Sequence, residues 1–71
     1  MNTQVPVRQV ASVSRALQII ELLISSSTHE LGVSEISREI GVVKSTAHQL
    51  LATLAAHGFV ENNGTTGRYR L

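Results

Sequence analysis

The 71-residue chain has no cysteine, a single proline and a formal net charge of only +1. Without thiols it has neither a disulfide framework nor a thiolate zinc site to stabilise it. A chain this short buries only about 60% of the surface that its unfolded form exposes, so it forms one core and not two. We therefore expect a single domain whose stability comes from packed helices.

Long apolar runs are also missing. No stretch approaches the ~20 apolar residues that a membrane-spanning helix needs, and the N-terminus lacks the basic and then apolar pattern of a signal peptide. We expect a cytoplasmic protein with no membrane partner.

A hydrolytic site needs a nucleophile, a base and an orienting acid in a pocket, and so small a chain cannot build one around its three histidines. We therefore expect no enzyme activity, no metal site and no cofactor.

The charges that are present lie unevenly along the chain. Residues 41–71 contain Lys44, Arg68 and Arg70 against the single acid Glu61, while the other four glutamates come earlier. The net charge gives weak support for a nucleic-acid partner. Because residues 41–71 are basic, we expect a nucleic-acid partner to bind this half of the chain.

The first helix is predicted over residues 12–25, after a flexible arm over residues 1–11 that includes Pro6. Ser12 or Ser14 is the predicted N-cap, and the serine run at 25–27 is the predicted end. The apolar residues that recur at helical spacing are Val13, Ala16, Leu17, Ile20, Leu23 and Ile24. Ile19 and Leu22 lie outside this stripe, so we expect them to mediate weak self-association.

Two further helices are predicted over residues 34–41 and 44–57. Leu31 and Val33 indicate a short extended piece before Ser34, whose hydroxyl can cap the second helix. Gly41 and Gly58 suit the left-handed position that ends a helix. The short second helix, the glycine turn and the third helix together are typical of a helix-turn-helix, with the small Ser37 where the two axes approach.

Residues 59–71 predict a β-hairpin, or wing, with strands on either side of a turn-rich segment at 62–67. Strand alternation predicts that Tyr69 and Leu71 point inward and that Arg68 and Arg70 point outward. We interpret Tyr69 as a lid on the core in preference to a base-stacking residue. The predicted fold class is mainly α with a small β-hairpin: a three-helix winged helix-turn-helix over residues 12–71.

The outer face of the third helix carries short polar groups and no bulky apolar side chain. Ser45, Gln49 and Ala52 point away from the leucine stripe, near the positive end of the helix dipole, which suits insertion into a DNA major groove. The alternative is that this face is an ordinary solvent-exposed helix surface without a ligand. For the two wing arginines, the alternative to phosphate binding is simple exposure to solvent. The predicted DNA-binding residues are Lys44, Ser45, Thr46, His48, Gln49, Thr53, Arg68 and Arg70. His57, at the helix end, is predicted to cap it.

The order and spacing of five segments resemble the DNA-binding domain of IclR-family transcription regulators. The segments are SRALQIIELL at 14–23, LGVSEISREIG at 31–41, KSTAHQLLATL at 44–54, GFV at 58–60 and GRYRL at 67–71. The resemblance implies an N-terminal reading head for double-stranded operator DNA. It also implies a linker helix and a C-terminal domain that senses a small-molecule effector in the longer protein. Two subunits would then share one operator, as a homodimer formed through helix 1 and the C-terminal region.

Three positions depart from the family pattern. Val43 stands where the family often has proline or a polar residue, and Ser37 stands where alanine is common. Gln49 replaces an arginine found in many relatives, and an amide can pair with adenine where arginine favours guanine. The alternative function is a winged helix used only for protein association. Lys44, Ser45 and Gln49 argue against it, because a protein-binding surface favours large apolar anchors.

Overall fold

A computed structural model of the protein describes residues 9–71. The helices are α1 (Ala11–Ser25), α2 (Val33–Ile40) and α3 (Lys44–Ala56), and the strands are β1 (Glu30–Leu31), β2 (Glu61–Asn62) and β3 (Tyr69–Arg70). This architecture confirms the predicted winged helix-turn-helix. Most of the predicted flexible arm over residues 1–11 lies outside the described residues, and Ala11 is already helical.

The core forms where the three helices meet Val60, the residue before β2. Its side chains are small or aliphatic and less than 5% exposed, and all of them except Val60 are fully buried. Burying each large aliphatic side chain contributes roughly 1.5–3 kcal/mol. The core residues are Ile19, Leu23, Ile36, Ala47, Leu51 and Val60.

The buried face of α1 differs from the predicted one. Ile19 is fully buried, whereas Val13, Leu17 and Ile24 are 55%, 58% and 57% exposed. The prediction that Ile19 mediates self-association is therefore wrong, and the partly buried Leu22 packs against the core. The physical reason is that α1 has two apolar faces. Periodicity detects both, but only contact with α2 and α3 decides which one is buried.

The first two helices begin without the serine side-chain caps that the sequence predicted. Val10 is the N-cap of α1 and no side chain caps it. The Ser14 hydroxyl donates to Gln9 Oε1 at 3.2 Å instead. Gly32 precedes α2, and its N–H donates to the Glu35 carboxylate at 2.9 Å. The predicted cap Ser34 lies inside the first turn, because α2 starts earlier, at Val33.

The turn between α2 and α3 follows the predicted chemistry. Gly41 has φ +73° and ends α2 in the left-handed conformation. Ser37 is 7% exposed, and its hydroxyl donates to Ser34 O at 3.0 Å. The Ser37 carbonyl accepts the N–H of Val42 at 3.0 Å across the turn. These bonds fix the direction in which α3 leaves the turn.

The wing is a three-stranded antiparallel sheet in the order β1-β3-β2. Arg70 lies opposite Glu30 on one side and Glu61 on the other. The sequence predicted only the hairpin, because β1 is two residues long and pairs across a separation of about forty positions. Tyr69 packs partly buried against the core, as predicted. Leu71 is 50% exposed, so its predicted inward direction is wrong: it lies just past the short strand.

Candidate nucleic-acid interface

The outer face of α3 gathers most of the predicted site. Ala47 and Leu51 are buried on the opposite face, with Leu50 and Leu54 partly buried beside them. This packing turns the other side of the helix to solvent. Of the six site residues predicted on α3, Thr46 is half-buried and the exposed ones are Lys44, Ser45, His48, Gln49 and Thr53.

This face is free of negative charge. The helix sequence KSTAHQLLATLAA contains no acidic residue, and Lys44 is its one cation. Within residues 9–71, the Lys44 ammonium makes no ion pair, because the three pairs present all involve wing arginines. A polyanion can therefore approach α3 without displacing a carboxylate from its lysine.

The N-terminus of α3 has the uncapped start that the departure at Val43 indicated. Val43 is the N-cap residue, in an extended conformation, and no side-chain cap bond forms there. Its own side chain is 68% exposed. The first N–H groups of the helix thus carry the positive end of its dipole without a side-chain acceptor, an arrangement that favours an anion. Valine at position 43 predicts this start, because it cannot cap the helix as Ser, Thr, Asn or Asp can.

Thr53 differs from the rest of the exposed face. Its hydroxyl donates to the carbonyl of Gln49 at 2.9 Å, one turn earlier in the helix. Its oxygen can still accept a bond, but its donor is already used. The Gln49 side-chain amide makes no hydrogen bond within the described part of the chain, so both its donor and its acceptor face outward.

The two wing arginines lie in different surroundings. Arg70 pairs with Glu61 across the hairpin at 2.8 Å, where both side chains are more than half exposed. Arg68 does not point freely outward as the strand alternation predicted. Its guanidinium reaches Glu35 Oε1 at 3.1 Å and Glu30 Oε1 at 3.6 Å. It also donates to the carbonyl of Glu30 at 3.0 Å.

Two of the three histidines lie on or at the end of α3. His48 is exposed on α3, and His57 stands at the C-cap of α3, where capping was predicted. Within residues 9–71, no three histidine or acidic side chains lie close enough together to hold a metal ion. None of the helices in that range is long and apolar enough to cross a membrane.

The geometry of this helix-turn-helix agrees with known proteins. Residues 12–64 match the IclR helix-turn-helix domain. The chain belongs to the IclR family. It carries the helix-turn-helix DNA-binding domain of that family, as the resemblance of its five segments implied.

Relatives in this family are named as transcription regulators. The chain is 47% identical over 62 residues to the HTH-type transcriptional regulator XynR of Escherichia coli (strain K12). The aligned residues cover 87% of this chain and 24% of that protein. It is 41% identical over 64 residues to the glycerol operon regulatory protein of Streptomyces coelicolor, covering 90% and 25% of the two chains. The chain thus spans about a quarter of the length of these relatives.

A solved structure shares the fold. The crystal structure of an IclR transcriptional regulator from Alicyclobacillus acidocaldarius superposes with a TM-score of 0.85 at 33% identity. The match covers 90% of this chain and 26% of that one. The three helices and the small sheet therefore form the winged helix of this family.

Proposed function

We propose that this IclR-family domain binds double-stranded DNA sequence-specifically, with α3 in the major groove and the wing on the backbone or in the minor groove. The observation that carries the proposal is the outer face of α3, which is exposed, polar and free of carboxylates, and which begins at an uncapped helix N-terminus. Major grooves admit an α-helix of this kind, and phosphates favour its positive end.

The side chains of α3 divide into two roles. Lys44, at the first position of the helix, neutralises a phosphate together with the free N–H groups of the first turn. Ser45, His48 and Gln49 reach base edges, with Gln49 as the principal reader of adenine. Thr46 and Thr53 flank them; the Thr53 hydroxyl acts as an acceptor because its proton is bound to the Gln49 carbonyl.

Arg70 is the wing cation best placed for the DNA backbone. Its pair with Glu61 joins two side chains that are 51% and 61% exposed. Exposed pairs of this kind contribute only about 0–1 kcal/mol. A phosphate oxygen can therefore compete with the Glu61 carboxylate for the Arg70 guanidinium.

A binding-site selection on random duplexes tests the proposal. We expect enrichment of one half-site whose recovery depends on Gln49 and Lys44. Gln18→Ala is the matched control, because Gln18 is also an exposed glutamine, on α1. If no sequence is enriched and no duplex is bound at low salt, the winged helix serves protein association instead.

We also propose that the domain binds DNA as a homodimer. Val10, Val13, Leu17 and Ile24 are 55% to 63% exposed and recur at helical spacing on or next to α1. We call these four residues the outer α1 stripe. A second copy of the chain is its proposed occupant, since two subunits on one operator place two copies of α3 on successive half-sites. A small-molecule effector would bind elsewhere in the longer protein.

A further inference from the structure

One side chain connects the wing to the helix-turn-helix. Arg68 lies in the returning arm of the wing, just before β3, yet its guanidinium contacts two other parts of the fold. Nη2 is 3.1 Å from Glu35 Oε1 in the first turn of α2. It also donates to the Glu30 carbonyl in β1 at 3.0 Å, while Nε lies 3.6 Å from Glu30 Oε1.

The partners of Arg68 hold structural positions of their own. The Glu35 oxygen that faces Arg68 also accepts the Gly32 N–H at 2.9 Å, where α2 begins. The other oxygen of Glu30 lies 3.4 Å from the amide nitrogen of Asn63. Asn63 orders the wing turn, because its side-chain oxygen accepts the N–H groups of Thr65 and Thr66 at 3.0 and 3.4 Å. One guanidinium therefore links the start of α2, β1 and the wing turn.

The ionisation of Glu35 supports this link. The Gly32 N–H bond lowers the pKa of Glu35 most, desolvation opposes it, and the positive charges of Arg68 and Arg38 lower it further. The carboxylate is therefore charged at neutral pH and attracts the guanidinium.

We propose that Arg68 is a positioning residue, which fixes the angle of the wing against α2 and α3 and does not itself neutralise a phosphate. This inference rests on the proposed DNA binding and goes beyond it, since it gives a residue predicted to touch DNA a role within the protein. A wing held at a fixed angle is pre-organised for the backbone, so less ordering accompanies DNA binding.

Removing the negative charge of Glu35 distinguishes a positioning role of Arg68 from a phosphate-binding role, because the two roles predict opposite changes in DNA affinity. Glu35→Gln keeps an acceptor for the Gly32 N–H, because glutamine serves at this capping position, but it loses the ion pair with Arg68. If Arg68 positions the wing, this variant binds a duplex selected with the wild-type domain about two- to five-fold more weakly. If Arg68 binds a phosphate, the freed guanidinium and the lost negative charge make binding tighter. Unchanged or tighter binding by Glu35→Gln overturns the proposal.

Glu61→Gln is the matched control. It removes the same charge from the Arg70–Glu61 ion pair, and within residues 9–71 Glu61 makes no ion pair or side-chain hydrogen bond with α2. We expect equal or tighter binding from this variant. If Glu61→Gln weakens binding as much as Glu35→Gln does, the link to α2 has no special role and the proposal fails.

Arg68 variants add two readouts that a general loss of stability does not move. Arg68→Ala should leave the salt slope of binding unchanged, whereas loss of a phosphate contact lowers it by about 0.9. Arg68→Lys keeps the charge but cannot bond Glu35 and the Glu30 carbonyl with one planar group. We expect it to bind the selected duplex as weakly as Glu35→Gln. A lower salt slope for Arg68→Ala, or wild-type affinity for the selected duplex in Arg68→Lys, contradicts the inference.

The free protein gives a test that does not depend on DNA. In Arg68→Lys, amide hydrogen exchange should accelerate both at Gly32 and at Gly67, whose N–H donates to Asn63 O at 2.6 Å. Faster exchange at Gly67 alone, or unchanged exchange at both amides, would contradict the proposed link between the wing and α2. If the wild type binds no duplex, the proposed function fails, and this measurement still decides the role of Arg68.

Discussion

Gln49 lies in the middle of the exposed face of α3, one turn from Ser45, and its side-chain amide is not bonded to the described protein. An amide can donate to N7 and accept from the N6 amino group of adenine. Gln49→Ala should therefore cost about 1–3 kcal/mol on the selected duplex and leave random duplex binding nearly intact. Fluorescence anisotropy on both duplexes measures the difference.

Gln49→Arg should change the base that is preferred. Arginine pairs with the two acceptors of guanine, so selection should move one base pair per half-site from adenine toward guanine, with tighter non-specific binding. Gln18→Ala, on the exposed side of α1, should change neither property. Identical base preferences in the wild type and both Gln49 variants would refute the assignment and point to DNA shape.

Lys44 should behave differently from Gln49, because it stands at the helix start and its charge makes no ion pair within residues 9–71. Lys44→Ala should weaken selected and random duplexes about equally and lower the salt slope by about 0.9, the value for one phosphate. Titrations at several salt concentrations check this. Arg15→Ala, which removes an exposed cation from α1, is the control. A loss confined to the selected duplex would mean that Lys44 reads bases or groove shape.

At the scale of the elements, the turn between α2 and α3 depends on one backbone conformation. Gly41 has φ +73°, and an added Cβ there would meet no atom within 4 Å. The cost of Gly41→Ala is therefore backbone strain alone, about 1–2 kcal/mol of unfolding free energy. Gly64→Ala, in open space without a positive φ, should stay within about 0.5 kcal/mol. Urea denaturation compares them; equal stabilities would show that α2 ends without the left-handed turn.

The elements also show what the sequence determined and what it left open. The ends of α2 and α3 followed local chemistry: Gly41 and Gly58 have positive φ, as their places at helix ends predicted. Three features depended on long-range packing, and the first is which apolar face of α1 is buried. β1 pairs with β3 although each has two residues, and Arg68 turns toward Glu35, 33 positions earlier. No local pattern marks such contacts, so the hairpin was predicted without its third strand.

Over the whole molecule, the acidic residues are arranged so that α3 remains uncovered. Glu30, Glu35 and Glu61 face the wing arginines. The other two, Glu21 and Glu39, line a groove between α1 and α2. A net charge of +1 is thus compatible with a DNA-binding face, because the carboxylates lie in the wing and between α1 and α2, and none lies on α3.

The last surface to explain is the outer α1 stripe, where our sequence prediction chose the wrong residues. Val10 and Ile24 are separated by fourteen positions, so the stripe runs for about 20 Å along the helix. Four apolar side chains in one line exceed the scattered exposure that is normal on a monomer. We expect a second copy to pack there weakly in solution and more strongly when a palindromic duplex aligns two domains.

Leu17→Glu should therefore abolish cooperative binding of two domains to a palindromic duplex while a single half-site is bound as before. The charge would be buried in the interface without a partner, which costs more than the apolar contact gains. Leu71→Glu is the matched control: the same change at a 50% exposed leucine away from α1. Sedimentation velocity at high protein concentration and anisotropy on one and two half-sites give the readouts. Ile19→Ala should instead destabilise the fold by about 2–5 kcal/mol, because that side chain is fully buried. If Leu17→Glu retains cooperativity, or if Leu71→Glu loses it equally, the two domains meet through another surface.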